Sequence, residues 1–460
     1  MSNKFPPELV RKLGSNPLFD SESFLKTHEA IASLTSIRIN PLKTRPHLVQ
    51  EGLPKVPWCD TGYYLPERPV FTLDPFHHAG CYYVQEASSM FLAQVITSLK
   101  LDAGPCMALD LCAAPGGKST LLQTYLHPDS LLVANELIKS RVGVLEENLT
   151  RWGFPNTLIA HSDPSAFARL PEFMDLLVVD APCSGSGMFR KDTHTMDSWS
   201  ESVVKLCRER QQRILANSIN CLKSGGVLIY STCSYSEEEN EQIADWLVEN
   251  YGLESVSVPY SPEWGIIESR SPQHSCVGYR FYPHKLQGEG FFLTVFRKPG
   301  EGGKELGKKG HKAAKQKSHV EPKSLERWIA DPKRYHNFMV GDQLHVIDER
   351  LKEDFFALRN MLYLKNAGLR IGKIHKSEIL IPDHALALST ICNADLPKID
   401  LDYEHALDYL RKKSLTIDLP AGHPLGWTLV TYHDAVMGWA KTMPGRINNY
   451  YPKDSRIVNL

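Results

Sequence analysis

The sequence predicts an α/β protein whose central part forms a doubly wound, largely parallel sheet. Six short apolar runs lie in the middle of the chain, and segments with helical periodicity separate them. Small residues or carboxylates follow several of these runs. Near-continuous apolar runs of this length are typical of parallel strands whose two faces are both covered by helices. The six predicted strands are 106–111, 131–135, 157–160, 176–180, 227–231 and 291–296.

Two of the connecting helices are defined by their periodicity and by signals at their ends. One is predicted over 201–226, with Gly225 and Gly226 as its stop. Its apolar stripe consists of Val204, Leu206, Leu215, Ile219 and Leu222. The other opens at Ser236, with Glu239 three residues later as a capping box, and buries Ile243, Trp246 and Leu247. This alternation predicts a Rossmann-like sheet that binds ligands at the carboxyl ends of its strands.

Shifts in composition divide the chain into four regions. An N-terminal α+β extension is expected over 1–78, and the α/β core over 79–298. The tract 299–322 is rich in Gly and Lys and indicates a linker, whereas residues 323–460 are expected to form a C-terminal α+β region. The Lys-rich tract is a solvated connection in one interpretation and a phosphate-contacting tether in the other.

The bulk composition excludes several classes of protein. No apolar run reaches about eighteen residues, so no membrane-spanning helix is expected. The N-terminal residues lack the apolar core of a secretory signal, and we therefore expect a cytoplasmic protein. The ten cysteines include no C-x-x-C pair, so we expect free thiols and no metal site. The formal net charge of −1 gives no indication of a nucleic-acid partner.

The first predicted strand leads into a loop of small residues and then into a helix. Gly117, Lys118 and Ser119 fit the end of a phosphate-binding P-loop, but Cys112 occupies the position of its first glycine. The glycine pattern of the dinucleotide fingerprint is also absent. For both phosphate-binding motifs, the loop therefore lacks a glycine where the backbone must approach a phosphate.

Two carboxylates follow the next predicted strands and indicate a different ligand. Glu136 ends the second strand, where open α/β folds bind the two hydroxyls of a ribose. Asp163 follows the third strand and is placed to accept a hydrogen bond from an adenine amino group. A small-residue loop and a ribose carboxylate without a phosphate motif favour a nucleoside cofactor that lacks phosphates. S-adenosyl-L-methionine is the expected cofactor.

Two cysteines follow two further predicted strands, at the edge where ligands bind. Cys183 comes after Asp180 and Pro182, and Cys233 follows the next strand along the chain. A thiol that only fills the core needs no Pro or Gly beside it, so both cysteines are candidates for chemistry.

Six segments of the chain together resemble one family, the Sun/RsmB/RsmF-type RNA cytosine-5 methyltransferases. The three that carry the chemistry are CAAPGGKST (112–120), VVDAPCSGSGMFRKD (178–192) and YSTCSYSEEENE (230–241), in the order and spacing of the family. GCYYVQEASSM (80–90) precedes the core as it does in that family. SIRINPLK (36–43) resembles the N-terminal RNA-binding extension, and GRINNYYPK (445–453) resembles the C-terminal region of RsmF-like bacterial members.

The resemblance implies S-adenosylmethionine-dependent methylation of cytosine carbon 5 in structured RNA, with 16S ribosomal RNA as the expected substrate. It implies a monomer with no membrane partner, a methyltransferase core and a PUA-like RNA-binding module near the C-terminus. There Trp427, Tyr450 and Tyr451, with Arg446 and Lys453, are expected to contact RNA, whereas the residues alone fit a packed β-core equally well. The residues expected to bind the cofactor are Cys112, Ala113, Ala114, Pro115, Gly116, Gly117, Lys118, Glu136, Asp163 and Asp180.

The chemistry explains why such an enzyme needs a thiol. Carbon 5 of cytosine becomes nucleophilic only after a nucleophile adds to carbon 6, and a thiolate suits this step near neutral pH. The resemblance assigns the attack to Cys233 and product release to Cys183. Asp180 is expected to hold the target base, and Arg190 and Lys191 are expected to contact substrate phosphate. A base inside a helix cannot reach these groups, which implies a single-stranded or flipped-out cytosine.

Several alternatives remain open from the sequence. DNA cytosine-5 enzymes attack from their Pro-Cys motif, so Cys183 and Cys233 could exchange roles. The same chemistry on tRNA is a second possibility. A third is an RNA-binding ribosome assembly factor that has lost its activity, although the presence of both cysteines argues against it.

Overall fold

The six apolar runs form the centre of a single ten-stranded sheet in the computed structural model. The structure describes residues 5–14, 19–29, 34–43, 48, 52–300, 319–375, 378–420 and 422–458. The first twelve strands in this part of the chain are β1 Thr35–Ile39, β2 Gly62–Leu65, β3 Tyr82–Val84, β4 Met107–Asp110, β5 Leu131–Asn135, β6 Thr157–Ala160, β7 Met174–Asp180, β8 Leu222–Thr232, β9 Glu254–Ser255, β10 Ile267–Arg270, β11 Val277–Phe281 and β12 Phe291–Arg297.

The remaining strands follow the linker, and helices connect the strands throughout. These strands are β13 Tyr335–Val340, β14 Gln343–Asp348, β15 Leu364–Ala367, β16 Leu369–His375, β17 Glu378–Pro382, β18 Lys398–Asp400, β19 Gly426–Tyr432, β20 Ala435–Met443 and β21 Arg446–Asn449. The helices are α1 Pro7–Leu13, α2 Ser21–Glu29, α3 Pro75–His78, α4 Phe91–Ser98, α5 Gly117–Tyr125, α6 Lys139–Trp152, α7 Thr193–Ser198, α8 Glu201–Ser218, α9 Glu241–Tyr251, α10 Lys352–Met361, α11 His384–Leu388 and α12 Tyr403–Leu410.

Five parallel strands, in the order β6-β5-β4-β7-β8, form the middle of the large sheet. The chain leaves β4 towards β5 on one side and returns through β7 on the other, so strand order reverses between β4 and β7. Such a reversal opens a crevice at the carboxyl ends of the two strands. Beyond β8, the strands β12, β11 and β10 continue the sheet in antiparallel pairing. This arrangement confirms the predicted α/β fold with its doubly wound, Rossmann-like core.

Three smaller sheets lie outside the core, in the N-terminal and C-terminal regions. Strand order is β2-β1-β3 in the first, β13-β14-β16-β17 in the second and β18-β19-β20-β21 in the third. The strand β15 leaves the C-terminal region and pairs antiparallel with β6 at the edge of the large sheet. The C-terminal region is therefore joined to the core by backbone hydrogen bonds as well as by the linker, of which residues 301–318 lie outside the described part.

The N-terminal sheet is fixed to the core by a buried arginine in β1. Arg38 is fully buried and donates to Gln85 at 2.8 Å and to Thr120 at 2.6 Å. Its guanidinium also lies over the ring of Trp152, 4.5 Å from the centroid. The segment that resembles an RNA-binding extension thus uses this cation to pack against the core.

The helix predicted over 201–226 is shorter in the structure. α8 ends at Ser218, and Gly225 and Gly226 lie inside β8 rather than at a helix stop. Leu206 is 61% exposed, so its assignment to the apolar stripe was wrong. At about 100° per residue, Leu206 points away from Val204 and Leu215, which are buried.

The predicted capping box at Ser236 is also wrong. α9 begins at Glu241, after a short 3-10 helix, and the Ser236 side chain makes no capping hydrogen bond. The Glu239 carboxylate instead points into the core, where it binds Ser234 of its own loop and Ser184 of the loop after β7. The buried side chains of Ile243 and Leu247 nevertheless confirm the apolar face of the predicted helix.

The aromatic residues near the C-terminus are mostly part of a packed core. Trp427 is 7% exposed and Tyr451 is 2% exposed, and Tyr450 packs edge-on against Trp427 at 4.4 Å. Arg446 and Lys453 are exposed. The expectation that Trp427 and Tyr451 offer free faces to RNA bases is therefore wrong, because both rings are covered by the sheets of this region.

None of the helices in the described ranges combines the length and the apolar character that a membrane span requires.

The carboxylate that ends β4 is completely buried. Asp110 accepts a hydrogen bond from Ser119 at 2.6 Å through one oxygen, whereas its other oxygen has no hydrogen-bond partner. Burial raises the pKa of Asp110 to about 7, against the lowering effect of the Ser119 hydrogen bond. Because the folded pKa lies above the unfolded value, the protonated form stabilises the fold, and this stabilisation is lost as the pH rises from about 4 to about 7.

We expect Asp110→Asn to stabilise the ligand-free protein increasingly as the pH rises. Its advantage in unfolding free energy over the wild type should grow by about 2 kcal/mol between pH 5.5 and pH 8.5. Thermal and denaturant unfolding at both pH values measure this change. The exposed Asp102→Asn is the control and should show no such trend, and an Asp110→Asn curve parallel to the wild type would contradict the prediction.

Candidate active site

The crevice at the carboxyl ends of the parallel strands holds a cavity of about 520 Å³. It brings together candidate residues that are more than one hundred positions apart in the sequence. Those that line it are Cys112, Ala114, Glu136, Asp163, Asp180, Cys183 and Cys233. The cavity is therefore bordered by both thiols and by Glu136 and Asp163, the two carboxylates expected to bind a nucleoside. Ala113, Pro115, Gly116, Gly117 and Lys118 lie behind this lining, in or next to the loop that supports it.

The loop after β4 turns sharply so that its small residues face the cavity. The Ala114–Pro115 peptide bond is cis, and Gly116 has a φ of +115°, a conformation that other residues rarely adopt. Side chains from α6 hold the loop, because Arg141 donates to the Ala114 carbonyl at 2.5 Å and Asn148 donates to the Pro115 carbonyl at 2.7 Å. The loop is therefore a rigid wall of the cavity.

Lys118 connects this loop to the tip of β7. Its ammonium lies 2.7 Å from Asp180 and over the ring of Phe291, at 5.0 Å from the centroid. The other Asp180 oxygen accepts from Ser231 at 2.8 Å. The Lys118 side chain is only 11% exposed, whereas that of Asp180 is 36% exposed and lines the cavity. Asp180 therefore faces the ligand space as a carboxylate whose orientation is fixed from behind.

Glu136 offers a hydrogen-bond acceptor to the cavity. One carboxylate oxygen accepts from the Ile138 backbone at 2.8 Å. The other is buried and has no hydrogen-bond partner, although Arg141 lies 3.4 Å away as an ion pair. A buried acceptor without a donor can accept hydrogen bonds from the hydroxyls of a ribose, so Glu136 suits a nucleoside ligand.

Asp163 lies at the outer rim of the cavity and is exposed. Its carboxylate accepts from the Ser165 backbone at 2.9 Å, and the hydrogen bonds to Ser165 lower its pKa. The preceding residue is held by Asn135, whose side chain forms two hydrogen bonds of 3.0 Å with the Ser162 backbone. Asn135 thus holds the backbone before Asp163, whose lowered pKa favours its ionised form at the cavity. Sequence reasoning missed this role of Asn135, which depends on a contact between two strand ends.

The two cysteines form a pair of free thiols with a sulfur–sulfur distance of 3.0 Å. Each loop is packed tightly against the other, because the Gly187 backbone donates to the Cys233 carbonyl at 2.8 Å. The hydrogen bond with Cys233 and burial raise the pKa of Cys183 well above its ordinary value. The Cys183 thiol is therefore harder to ionise than an ordinary cysteine.

A buried carboxylate binds the residue that follows each thiol. Glu239 accepts from the Ser184 backbone at 2.8 Å and from the Ser184 hydroxyl at 2.5 Å. It also accepts from the Ser234 hydroxyl at 2.5 Å and from the Gln211 amide at 3.1 Å. Sequence reasoning missed this role, because the spacing from Ser236 favoured a local capping interaction.

One face of α8 forms the side of the cavity opposite the loop after β4. Arg210, Arg213 and Asn217 on this face line the cavity, and the exposed Leu206 continues the same face outwards. Their spacings of four, three and four residues place them in one row along the helix. In the described part of the chain, no carboxylate forms an ion pair with Arg210 or Arg213 within 4.0 Å. Sequence reasoning did not single out these arginines.

The neighbouring basic residues Arg190 and Lys191 lie in different environments. The Arg190 side chain is 11% exposed and lies 3.6 Å from the buried Glu289 carboxylate. Lys191 is exposed. Of the pair, Lys191 is thus the residue available to a substrate phosphate.

Three family models match the chain in succession. Residues 3–87 match the N-terminal domain of 16S rRNA methyltransferase RsmF, and residues 97–297 match 16S rRNA methyltransferase RsmB/F. Residues 396–457 match the methyltransferase RsmF PUA domain. The order of these matches confirms the predicted methyltransferase core and the PUA-like module.

Solved structures share the fold of the core. A methyltransferase homolog protein from Pyrococcus horikoshii has 28% identity and a TM-score of 0.51, covering 64% of this chain and 99% of its own. NSun6 from Pyrococcus horikoshii with SFG has 20% identity and a TM-score of 0.53, covering 65% of this chain and all of its own.

Curated relatives are similar over almost the entire length. Ribosomal RNA small subunit methyltransferase F of Shewanella piezotolerans is 29% identical, covering 91% of this chain and 90% of its own. The protein of the same name from Aliivibrio fischeri strain ES114 is 34% identical over 462 residues, which cover 94% of both chains. On this similarity and on the three family models, the chain belongs to the RsmF family of 16S rRNA methyltransferases.

Proposed function

We propose that this protein transfers a methyl group from S-adenosylmethionine to carbon 5 of a cytosine in 16S ribosomal RNA. The covalent nucleophile is Cys233, which adds to carbon 6 of the base. The observation that carries the proposal is the thiol pair, 3.0 Å apart, in the same cavity as the nucleoside-type carboxylates. Membership of the RsmF family supports the choice of ribosomal RNA.

The cavity residues suit S-adenosylmethionine. Glu136 would accept from the ribose hydroxyls, and Asp163 would accept from the adenine amino group. The segment from Cys112 to Lys118, namely Cys112, Ala113, Ala114, Pro115, Gly116, Gly117 and Lys118, would form the wall against which the cofactor lies, and Asp180 would border it. When bound, the cofactor supplies an electrophilic methyl group on a sulfonium.

Side chains of the protein carry out the addition to the base, the binding of the base and the release of the product. Cys233 lines the cavity, so its sulfur would reach a base that enters it, and its addition would make carbon 5 nucleophilic. Asp180 retains acceptor capacity beyond its bonds to Lys118 and Ser231, and would bind the amino group and the protonated ring nitrogen of the base. In the release step a base takes the proton from carbon 5, the electrons of that bond re-form the double bond to carbon 6, and the Cys233 sulfur leaves carbon 6 as a thiolate. Cys183 would assist this step as acid or base.

The surrounding regions provide the affinity for RNA in this proposal. The N-terminal extension, the C-terminal region and the face of α8 would contact the RNA, and the target cytosine must be unpaired to enter the cavity. We place the boundaries of the regions at 1–78, 79–298, 299–322 and 323–460. The protein acts as a monomer in the cytoplasm, where its ribosomal substrate is assembled.

Bisulfite sequencing of RNA from cells with and without the gene tests the function directly. A cytosine of 16S ribosomal RNA should be protected only when the gene is present. Protection of a tRNA position instead would replace the substrate by tRNA. If no position changed in either RNA, the protein would be an assembly factor without methyltransferase activity.

Substitution of the thiols separates their roles. Cys233→Ser should lower methyl transfer to RNA by at least about a thousandfold, because the hydroxyl is a far weaker nucleophile than a thiolate. Cys183→Ala should accumulate a covalent protein–RNA adduct that survives denaturing gel electrophoresis. Cys392→Ala, at a free cysteine of the C-terminal region that does not line the cavity, is the control. An adduct with Cys233→Ala rather than Cys183→Ala would reverse the assignment.

The arginines of α8 are proposed to contact phosphates beside the target nucleotide. The Arg210→Ala/Arg213→Ala double variant should raise the KM for RNA and reduce the salt slope of binding by about 1.4, because each phosphate contact in single-stranded RNA contributes about 0.7. Its affinity for S-adenosylmethionine should be unchanged. Lys205→Ala is the control for Arg210→Ala, since Lys205 is exposed on another face of the same helix. Equal effects of these two single variants would contradict the assignment.

A further inference from the structure

The two thiols lie on separate loops, and their own hydrogen bond is a weak connection between them. Cys183 belongs to the loop after β7 and Cys233 to the loop after β8. A thiol is a weak donor and a sulfur is a weak acceptor, so the bond between them cannot hold the loops together. The Gly187–Cys233 backbone hydrogen bond joins the loops, and buried side chains beside the thiols must fix the distance of 3.0 Å between the sulfur atoms.

Glu239 is placed to do this. It is completely buried, and the residues it binds directly follow the two thiols. Ser184 and Ser234 donate to the same carboxylate oxygen, each at 2.5 Å, and their hydroxyl oxygens are 3.2 Å apart. One atom of Glu239 thus holds both loops.

The second carboxylate oxygen strengthens the same connection. It accepts from the Ser184 backbone at 2.8 Å and from the Gln211 amide at 3.1 Å. Gln211 also donates to the Pro182 carbonyl at 3.2 Å, so it connects Glu239 with the loop that carries Cys183. Four donors around one carboxylate favour its ionised form, whereas burial raises its pKa. Hydrogen bonds to an ionised group are about twice as strong as those between neutral groups.

We infer that Glu239 is a positioning residue that sets the distance and orientation of the two catalytic thiols. It does not touch the substrate, and it acts through Ser184 and Ser234. The inference rests on the proposed roles of Cys183 and Cys233 in methyl transfer. Its structural part, the fixed distance between the sulfur atoms, can be measured without RNA.

The first experiment measures the thiol distance with phenylarsine oxide, a trivalent arsenical that bridges two close thiols. Its arsenic forms bonds to both sulfur atoms, and the two thiol protons leave with the oxygen as water. The wild type should bind one equivalent with protection of both cysteines from alkylation, and Cys183→Ala should abolish this protection. In the described residues no other two cysteine sulfurs lie within hydrogen-bond distance.

Glu239→Gln should weaken arsenical binding by at least about tenfold, since the second sulfur is no longer held near the first. An amide has one acceptor oxygen and would present its own donors to Ser184 or Ser234. Glu237→Gln is the matched control, because Glu237 is exposed and lies two positions away in the same segment. Arsenical affinity equal to the wild type in Glu239→Gln would overturn the inference.

The second experiment measures methyl transfer to RNA in a single turnover. Glu239→Gln should lower the rate by about a hundredfold, as expected for a misplacement of about 1 Å. The KM for S-adenosylmethionine should stay within about twofold of the wild type, because Glu239 does not line the cavity. In the Cys183→Ala background, Glu239→Gln should slow adduct formation to a similar extent. A normal rate, or a reduced rate with normal arsenical affinity, would overturn the inference.

A third variant covers the case in which Glu239→Gln does not fold. Ser184→Ala/Ser234→Ala removes both hydroxyl donors but keeps the bonds from the Ser184 backbone and Gln211 to the carboxylate. This double variant should fold, and it should lose arsenical affinity and methyl-transfer rate to a smaller extent than Glu239→Gln. If Cys233→Ser were fully active, the proposed function would fail, whereas the arsenical result would still decide the positioning role.

Discussion

The site depends above all on the parallel pairing of β7 with β8. In this pairing Asp180 lies opposite Ser231, so the chain leaves the two strands at the same level. Cys183 follows three residues after the first position and Cys233 two residues after the second. A shift of one residue would displace one loop by about 3.3 Å along the strand and separate the thiols. The apolar side chains of both strands, which are buried on the two faces of the sheet, prevent such a shift.

The polar groups behind the cavity are arranged so that each buried charge has several partners. Lys118 and Asp180 connect the loop after β4 with the tip of β7, and Glu239 connects the loops after β7 and β8. Charged groups inside a protein are tolerated only when such partners replace water. The same bonds that offset desolvation therefore also fix the relative positions of three loops. Asp110 and Glu136 depart from this pattern, since each has one buried oxygen without a hydrogen-bond partner.

Much of the core could be predicted from the sequence, because apolar runs and strand-end residues are local signals. All six predicted strands are present, and the loop residues, Glu136, Asp163, Asp180 and both cysteines meet at one edge. What sequence reasoning missed depends on contacts between distant segments. Glu239 looked like a helix cap because its neighbours suggested one, and Leu206 looked like a core residue because it is apolar. The covered faces of Trp427 and Tyr451 follow from the packing of whole sheets, which composition does not reveal.

Strand β15 belongs to the C-terminal region but pairs with the core sheet, and this pairing connects the two regions mechanically. β15 pairs with β6, and just before it the Tyr363 backbone exchanges hydrogen bonds with His161 at 2.9 Å and with the Ser162 hydroxyl at 3.1 Å. These two residues precede Asp163, the carboxylate at the rim of the cavity. Under the proposed function, in which Asp163 contacts the cofactor, movement of the C-terminal region on RNA would pull on this short segment. RNA docking and cofactor binding would then depend on the same piece of backbone.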